Sequence, residues 1–305
     1  MRALRNKRRD EFQTAAAWTA GCAIGYLLCS LLGSLLGQGF LLHWMNGPGA
    51  GAAPAAEELV IWWVNLGCSL LGRLLPIWLG LRLGHLPRQE LYLQVPRRKQ
   101  VIPALLVYLG GAQLIGLLAA AVGQATGSTQ QIPVPQSMGA ALPAFLTLCV
   151  TPAILEEVLF RGVMQGFLRP YGLWLAIVGQ AVPFALLHGS ASAAVFALLA
   201  GLFFGWLAER TGSILPGMVL HLVNNTLAFV QMLLLTHGAR GVAQLLSGLY
   251  LIVFPILAVL VLVWWLRQGG HRGRLERVSR VDRLLYSAPW MIAQAFLLVY
   301  CFILA

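Results

Sequence analysis

The chain has 305 residues, of which 59% are apolar and 10% are charged, against roughly 25% charged in a soluble globular domain. Lys and Arg number 21 and Asp and Glu number 10, for a net charge of +11. That composition excludes both a soluble globular surface and a disordered chain, and a mean hydropathy of +0.77 points to a chain that crosses a membrane several times.

Nine apolar runs follow one another, at about 15–43, 59–84, 101–123, 139–168, 172–188, 191–208, 212–235, 241–266 and 288–305. Lipid offers no water to an unpaired backbone group, so only helices or a closed barrel can cross it. Runs of this length without alternation choose helices. The expected fold is therefore all-α, a polytopic membrane bundle of about nine transmembrane helices forming a single domain over 1–305. The first run far exceeds the roughly 7–15 apolar residues of a cleaved signal and reads as a retained helix.

Sixteen cations fall in three clusters: Arg2, Arg5, Lys7, Arg8 and Arg9; Arg82, Arg88, Arg97, Arg98 and Lys99; and Arg267, Arg272, Arg274, Arg277, Arg280 and Arg283. With a cytoplasmic N-terminus, the loops before the third, fifth, seventh and ninth runs are also cytoplasmic. They carry the second cluster, Arg169, Arg210 and the third cluster. The opposite loops, near 44–58, 124–138, 189–190 and 236–240, carry only Arg240. Cytoplasmic loops of membrane proteins are enriched in Lys and Arg, so the net charge reports topology. The expectation is an integral multi-pass protein of a bacterial cytoplasmic membrane, with Ala305 outside. No aromatic residues interleave with the cations as stacking platforms, so no nucleic-acid partner is expected. The segment 267–287 reads either as a solvated linker or as an amphipathic helix on anionic lipid.

The five cysteines, Cys22, Cys29, Cys68, Cys149 and Cys301, lie in apolar runs without metal spacing and read as small core residues. Gly21/Gly25, Gly33/Gly37 and Gly201/Gly205 read as helix-packing pairs.

An ionisable group inside a membrane is costly and so marks function by default. Arg73 reads as a snorkelling side chain or a structural ion pair. The fourth run carries Glu156-Glu157-x-x-x-Arg161. Glu157 and Arg161 are four apart and share a helix face, while Glu156 points about 100° away. Glu156 is thus expected to be the carboxylate without an arginine of its own. Glu57-Glu58, with no such arginine, reads as a solvated loop end. The fifth run carries Phe184-x-x-x-His188 and the seventh His221-x-x-x-Asn225. Counted from Arg169 and Arg210 at about 1.5 Å per residue, these groups share one zone inside the bilayer. Pro152, Pro183 and Pro216 each lie five residues before Glu157, His188 and His221. They read either as kinks that splay the helices around a wet cavity or as ordinary membrane-helix prolines.

Only two aspartates occur, Asp10 and Asp282, both outside the runs, which excludes an intramembrane Asp dyad and a Ser-His-Asp triad. No GxSG and no HExxH occurs. Glu, His, His and Asn remain. The three motifs in this order on successive apolar runs resemble the CPBP family, the type II CAAX prenyl endopeptidases with the bacteriocin-processing and self-immunity proteins. The resemblance covers about 139–230, within a catalytic core of about 139–235.

The resemblance implies a glutamate-type intramembrane endopeptidase. Glu156 with His188 would activate water, and His221 with Asn225 would stabilise the oxyanion. Glu157 with Arg161 would hold the helix and the electrostatics of the site, and Phe184 is a candidate substrate contact. No cofactor is expected; were zinc bound, Glu156, His188 and His221 would hold it. The partners expected are membrane lipid and a peptide or lipidated protein, with a prenylated C-terminus or a small secreted peptide as substrate. Two other readings use the same residues: a proton-coupled transporter with Glu156, His188 and His221 as relay, and a non-catalytic membrane scaffold.

Overall fold

A computed structural model describes residues 2–96, 98–128, 133–267 and 287–301. Segment 267–287 lies outside the described residues apart from its two ends, and so do residues 302–305. Nine helical runs stand where the nine apolar runs were expected: α1 Arg2–Met45, α2 Pro54–Leu83, α3 Arg98–Thr126, α4 Met138–Tyr171, α5 Leu173–Leu186, α6 Ala191–Thr211, α7 Leu215–Thr236, α8 Arg240–Arg267 and α9 Ala288–Val299. Among the described residues, seven are long and apolar enough to cross a membrane; α5 and α9 are shorter. The chain is an integral, multi-pass, all-α membrane protein.

Glycines set how closely these rods approach. The Gly33 backbone lies against the Cys68 carbonyl, where an added Cβ would stand 3.2 Å from the oxygen, and Gly37 faces the Cys68 sulfur, so α1 runs tightly along α2. Gly201 faces Phe184 and Arg161, and Gly205 faces Gln180 and Gln165, which seats α6 on α5 and α4. Small residues let membrane helices pack at backbone distance, and the glycine carbonyls are used: Gln180 donates to Gly201 and Gln165 to Gly205, each at 3.0 Å.

The centre of the bundle is α4, with Leu159, Val163, Met164 and Leu168 all fully buried. Two stretches of α4 are π-helical, Leu146–Val150 and Glu157–Met164. Such widened turns recur at functional sites and re-aim side chains relative to a regular helix. Pro152 sits in the first turn after the first widened stretch.

The three-kink expectation needs correcting. Pro216 occupies the first turn of α7, where a missing N–H costs nothing, so it starts a helix and does not bend one. Pro183 lies inside α5, which ends at Leu186, so His188 stands beyond the helix.

One end of the bundle is closed by a polar clasp. Arg169 reaches Glu209 through Nε at 2.7 Å and Glu90 through Nη1 at 2.7 Å, and its guanidinium lies 3.7 Å from the Tyr92 ring centroid. Burial raises the Tyr92 phenol above its ordinary pKa. Gln165 donates to Glu209 at 2.7 Å, and the Ile214 N–H donates to the Tyr92 carbonyl at 2.9 Å. The loop after α2 is thereby tied to the ends of α4 and α6 and to the start of α7. At the opposite end, Glu58 accepts hydrogen bonds from the backbone N–H of Gln136 at 2.6 Å and of Ser137 at 2.8 Å. Glu58 is therefore not a solvated loop end: it anchors the start of α4, because a helix N-terminus presents unpaired donors to an anion.

Candidate active site

Glu156 is buried, at 5% exposure, and it has an arginine of its own. Arg73 on α2 reaches Glu156 Oε1 through Nη2 at 2.7 Å and through Nε at 3.1 Å, and Tyr26 on α1 donates its hydroxyl to the same oxygen at 3.2 Å. This overturns the expectation of an arginine-free Glu156 and resolves Arg73 as an ion pair with it. Arg73 is in turn held by the Ser69 carbonyl at 3.1 Å. All three of these bonds go to Oε1 and none to Oε2.

Glu157 turns the other way. Its Oε1 lies 3.2 Å from Arg161 Nη1 and 3.1 Å from His221 Nδ1, with Glu157 and Arg161 both fully buried. The contact between Glu157 and Arg161 is an ion pair that misses hydrogen-bond geometry. Aromatic faces complete the cage: the Arg161 guanidinium lies 4.1 Å from the Phe184 centroid and 5.5 Å from that of Phe204. Cations are attracted to ring faces, more strongly where water is excluded.

The two histidines are each fixed by one ring nitrogen. His188 Nδ1 lies 2.7 Å from the Phe184 carbonyl. A carbonyl only accepts, so Nδ1 carries the proton and Nε2 is left for other partners. His221 Nδ1 donates in the same way to the Glu157 carboxylate, leaving its own Nε2. Phe184 packs edge-on to His188 with centroids 4.8 Å apart and to His221 at 6.3 Å, so one ring orients both imidazoles. Asn225, one turn beyond His221, donates to the Leu148 carbonyl at 3.1 Å, in the first π-helical stretch.

These side chains meet around a cavity of about 380 Å³. Glu156, Phe184, His188, His221 and Asn225 line it, together with Arg73 and Tyr26; Glu157 and Arg161 do not. The three motifs therefore divide into a layer on the cavity and a pair behind it. Sequence reading missed Arg73 and Tyr26 as members of the site. The signal for Arg73 was present, an arginine inside an apolar run; Tyr26 carried none.

The donor set does not suit a metal. Among the described residues no three His, Cys, Asp or Glu side chains gather as a metal-ligand group, and the zinc set Glu156, His188 and His221 is no exception. Glu156 Oε1 is already occupied by Arg73 and Tyr26.

Residues 138–227 match the family model described as type II CAAX prenyl endopeptidase Rce1-like, which supports membership of the CPBP family. No curated protein and no solved structure compared with the chain matches it.

Proposed function

On the premise of an Rce1-like domain at residues 138–227, we propose that the chain is a glutamate-type intramembrane endopeptidase. It hydrolyses peptide bonds of membrane-associated substrates, for which a prenylated C-terminus and a small secreted peptide are the two candidate forms. One observation carries the reading: a carboxylate on α4, an imidazole just past the end of α5, and an imidazole and a carboxamide on α7 line a single cavity.

Hydrolysis needs a base for the water and donors for the developing oxyanion. Arg73 and Tyr26 fix Glu156 through Oε1, so Oε2 is the oxygen that takes the proton from water. His188, with Nδ1 locked to the Phe184 carbonyl, offers Nε2 to the same water. His221 also lines the cavity. Glu157 accepts from Nδ1–H and so orients the ring, and Nε2, when protonated, donates to the oxyanion. The amide hydrogen of Asn225 not used by Leu148 is the second donor. The proton taken by Glu156 passes to the leaving amine. Arg161 lets Glu157 remain charged in a fully buried position and so acts on the chemistry only through His221.

The test is cleavage of a membrane-inserted peptide by the purified protein in proteoliposomes, read by mass spectrometry, for the parent chain and for Glu156→Gln. Cleavage is expected for the parent and lost in the variant. Undiminished cleavage by Glu156→Gln would end the proposal.

A further inference from the structure

The cavity is not symmetric with respect to the two faces of the bundle, and its asymmetry bears on where substrates come from. On α7 the lining residues begin at His221 and continue through Asn225, Ala228 and Phe229 to Met232, close to the helix end at Thr236. At about 1.5 Å per residue this stretch is roughly 16 Å long. None of the first six residues of α7 takes part. On α4 the lining runs from Phe160, one turn on the Tyr171 side of Glu156, through Glu156 and Pro152 to Leu148, so most of it lies away from Tyr171. The remaining wall includes Pro133 and Val134, in the loop before α4.

Apart from Phe160, these residues lead from the catalytic groups toward the same end of the bundle. That end carries the loops after α1, α3, α5 and α7. The other end is shut. Below Glu156 lie Leu159, Val163, Met164 and Leu168, all fully buried, then the clasp of Arg169 with Glu90 and Glu209.

The shut end is the basic one. Lys7, Arg9, Arg82, Arg88, Arg169, Arg210 and Arg267 all stand there, against Arg240 alone at the open end among the described residues. Loops rich in Lys and Arg stay in the cytoplasm during insertion. We infer that the cavity opens to the extracytoplasmic side and takes apolar peptide segments presented there, such as an exported peptide or the outer end of a membrane-inserted chain. A lipidated C-terminus presented in the cytoplasm has no path to it. The lining fits a neutral occupant. Among the described residues its full charges are Arg73 and Glu156, which pair with each other, while Val134, Leu148, Phe229 and Met232 supply the apolar wall. The nature of the occupant rests on the endopeptidase reading; the direction of opening does not.

Direction is tested without chemistry. Val134→Cys and Met232→Cys place thiols on the cavity wall, and Gln94→Cys places one on the exposed basic face. Each is treated with a membrane-impermeant maleimide, in right-side-out vesicles and in inverted vesicles, over the background of the parent chain. Labelling of the two cavity cysteines is expected from outside only, and of Gln94→Cys from inside only. Labelling of the cavity cysteines from the inside, or from neither side, overturns the inference.

A second arm supplies an apolar peptide to each vesicle orientation. Cleavage confined to right-side-out vesicles supports the substrate class, and cleavage in inverted vesicles overturns it. Loss of cleavage in both, with labelling as expected, would strike the endopeptidase reading and leave the direction standing.

Discussion

Two adjacent glutamates in one helix have separate surroundings because their partners differ. Glu157 is locked between Arg161 and His221 in a fully buried place. Removing one member of a buried ion pair strands the other charge, at a cost of about 3–5 kcal/mol. Glu157→Gln should therefore lower the unfolding free energy by about that amount, read by denaturant or thermal unfolding in detergent. Arg73 acts on Glu156 from a distance of 83 residues, which no local pattern discloses. Arg73→Ala should lower kcat by about 100-fold with little change in KM, as expected when a reacting group is misplaced by about 1 Å. Arg73→Lys keeps the charge but not the two-pronged hold, and should recover part of the loss. An equal fall in KM affinity and turnover would instead mark Arg73 as a substrate contact. The residues of the three motifs were legible because ionisable groups are conspicuous in apolar runs. The pairing of Glu156 was not, since spacing along α4 says nothing about what α1 and α2 bring to it.

At the level of elements, apolar run length is a strong signal, and all nine helical runs were legible from it. Proline was a weaker guide. Pro216 starts α7 and does not bend it, because the chain before it is a turn tied to Tyr92. The π-helical stretches of α4 had no sequence mark apart from Pro152. Gly217, in the first turn of α7, shows how tightly the elements meet: an added Cβ would stand 2.8 Å from Glu157 Oε2. Gly217→Ala should displace that carboxylate, costing about 1–3 kcal/mol of stability as overpacking commonly does. It should also slow cleavage through His221; unchanged melting and turnover together would show that the carboxylate has room to retreat.

Across the whole molecule, charge and hydropathy fixed the alternation of the helices, but not the depth of the site. That depth follows from α5. With 14 residues it is about 21 Å long, well short of a hydrocarbon core of about 30 Å. Its residues are buried or half-buried against neighbouring helices throughout. His188 stands just past its last turn, at the floor of the gap so left. If the missing turns of α5 form a well through protein that opens to bulk solvent, hydration of the site does not depend on the surrounding lipid. Reconstitution into bilayers of longer acyl chains should leave the hydrolysis rate unchanged in a fluorogenic assay, whereas a rate that falls with chain length would mean that lipid, and not protein, forms the wall of the well.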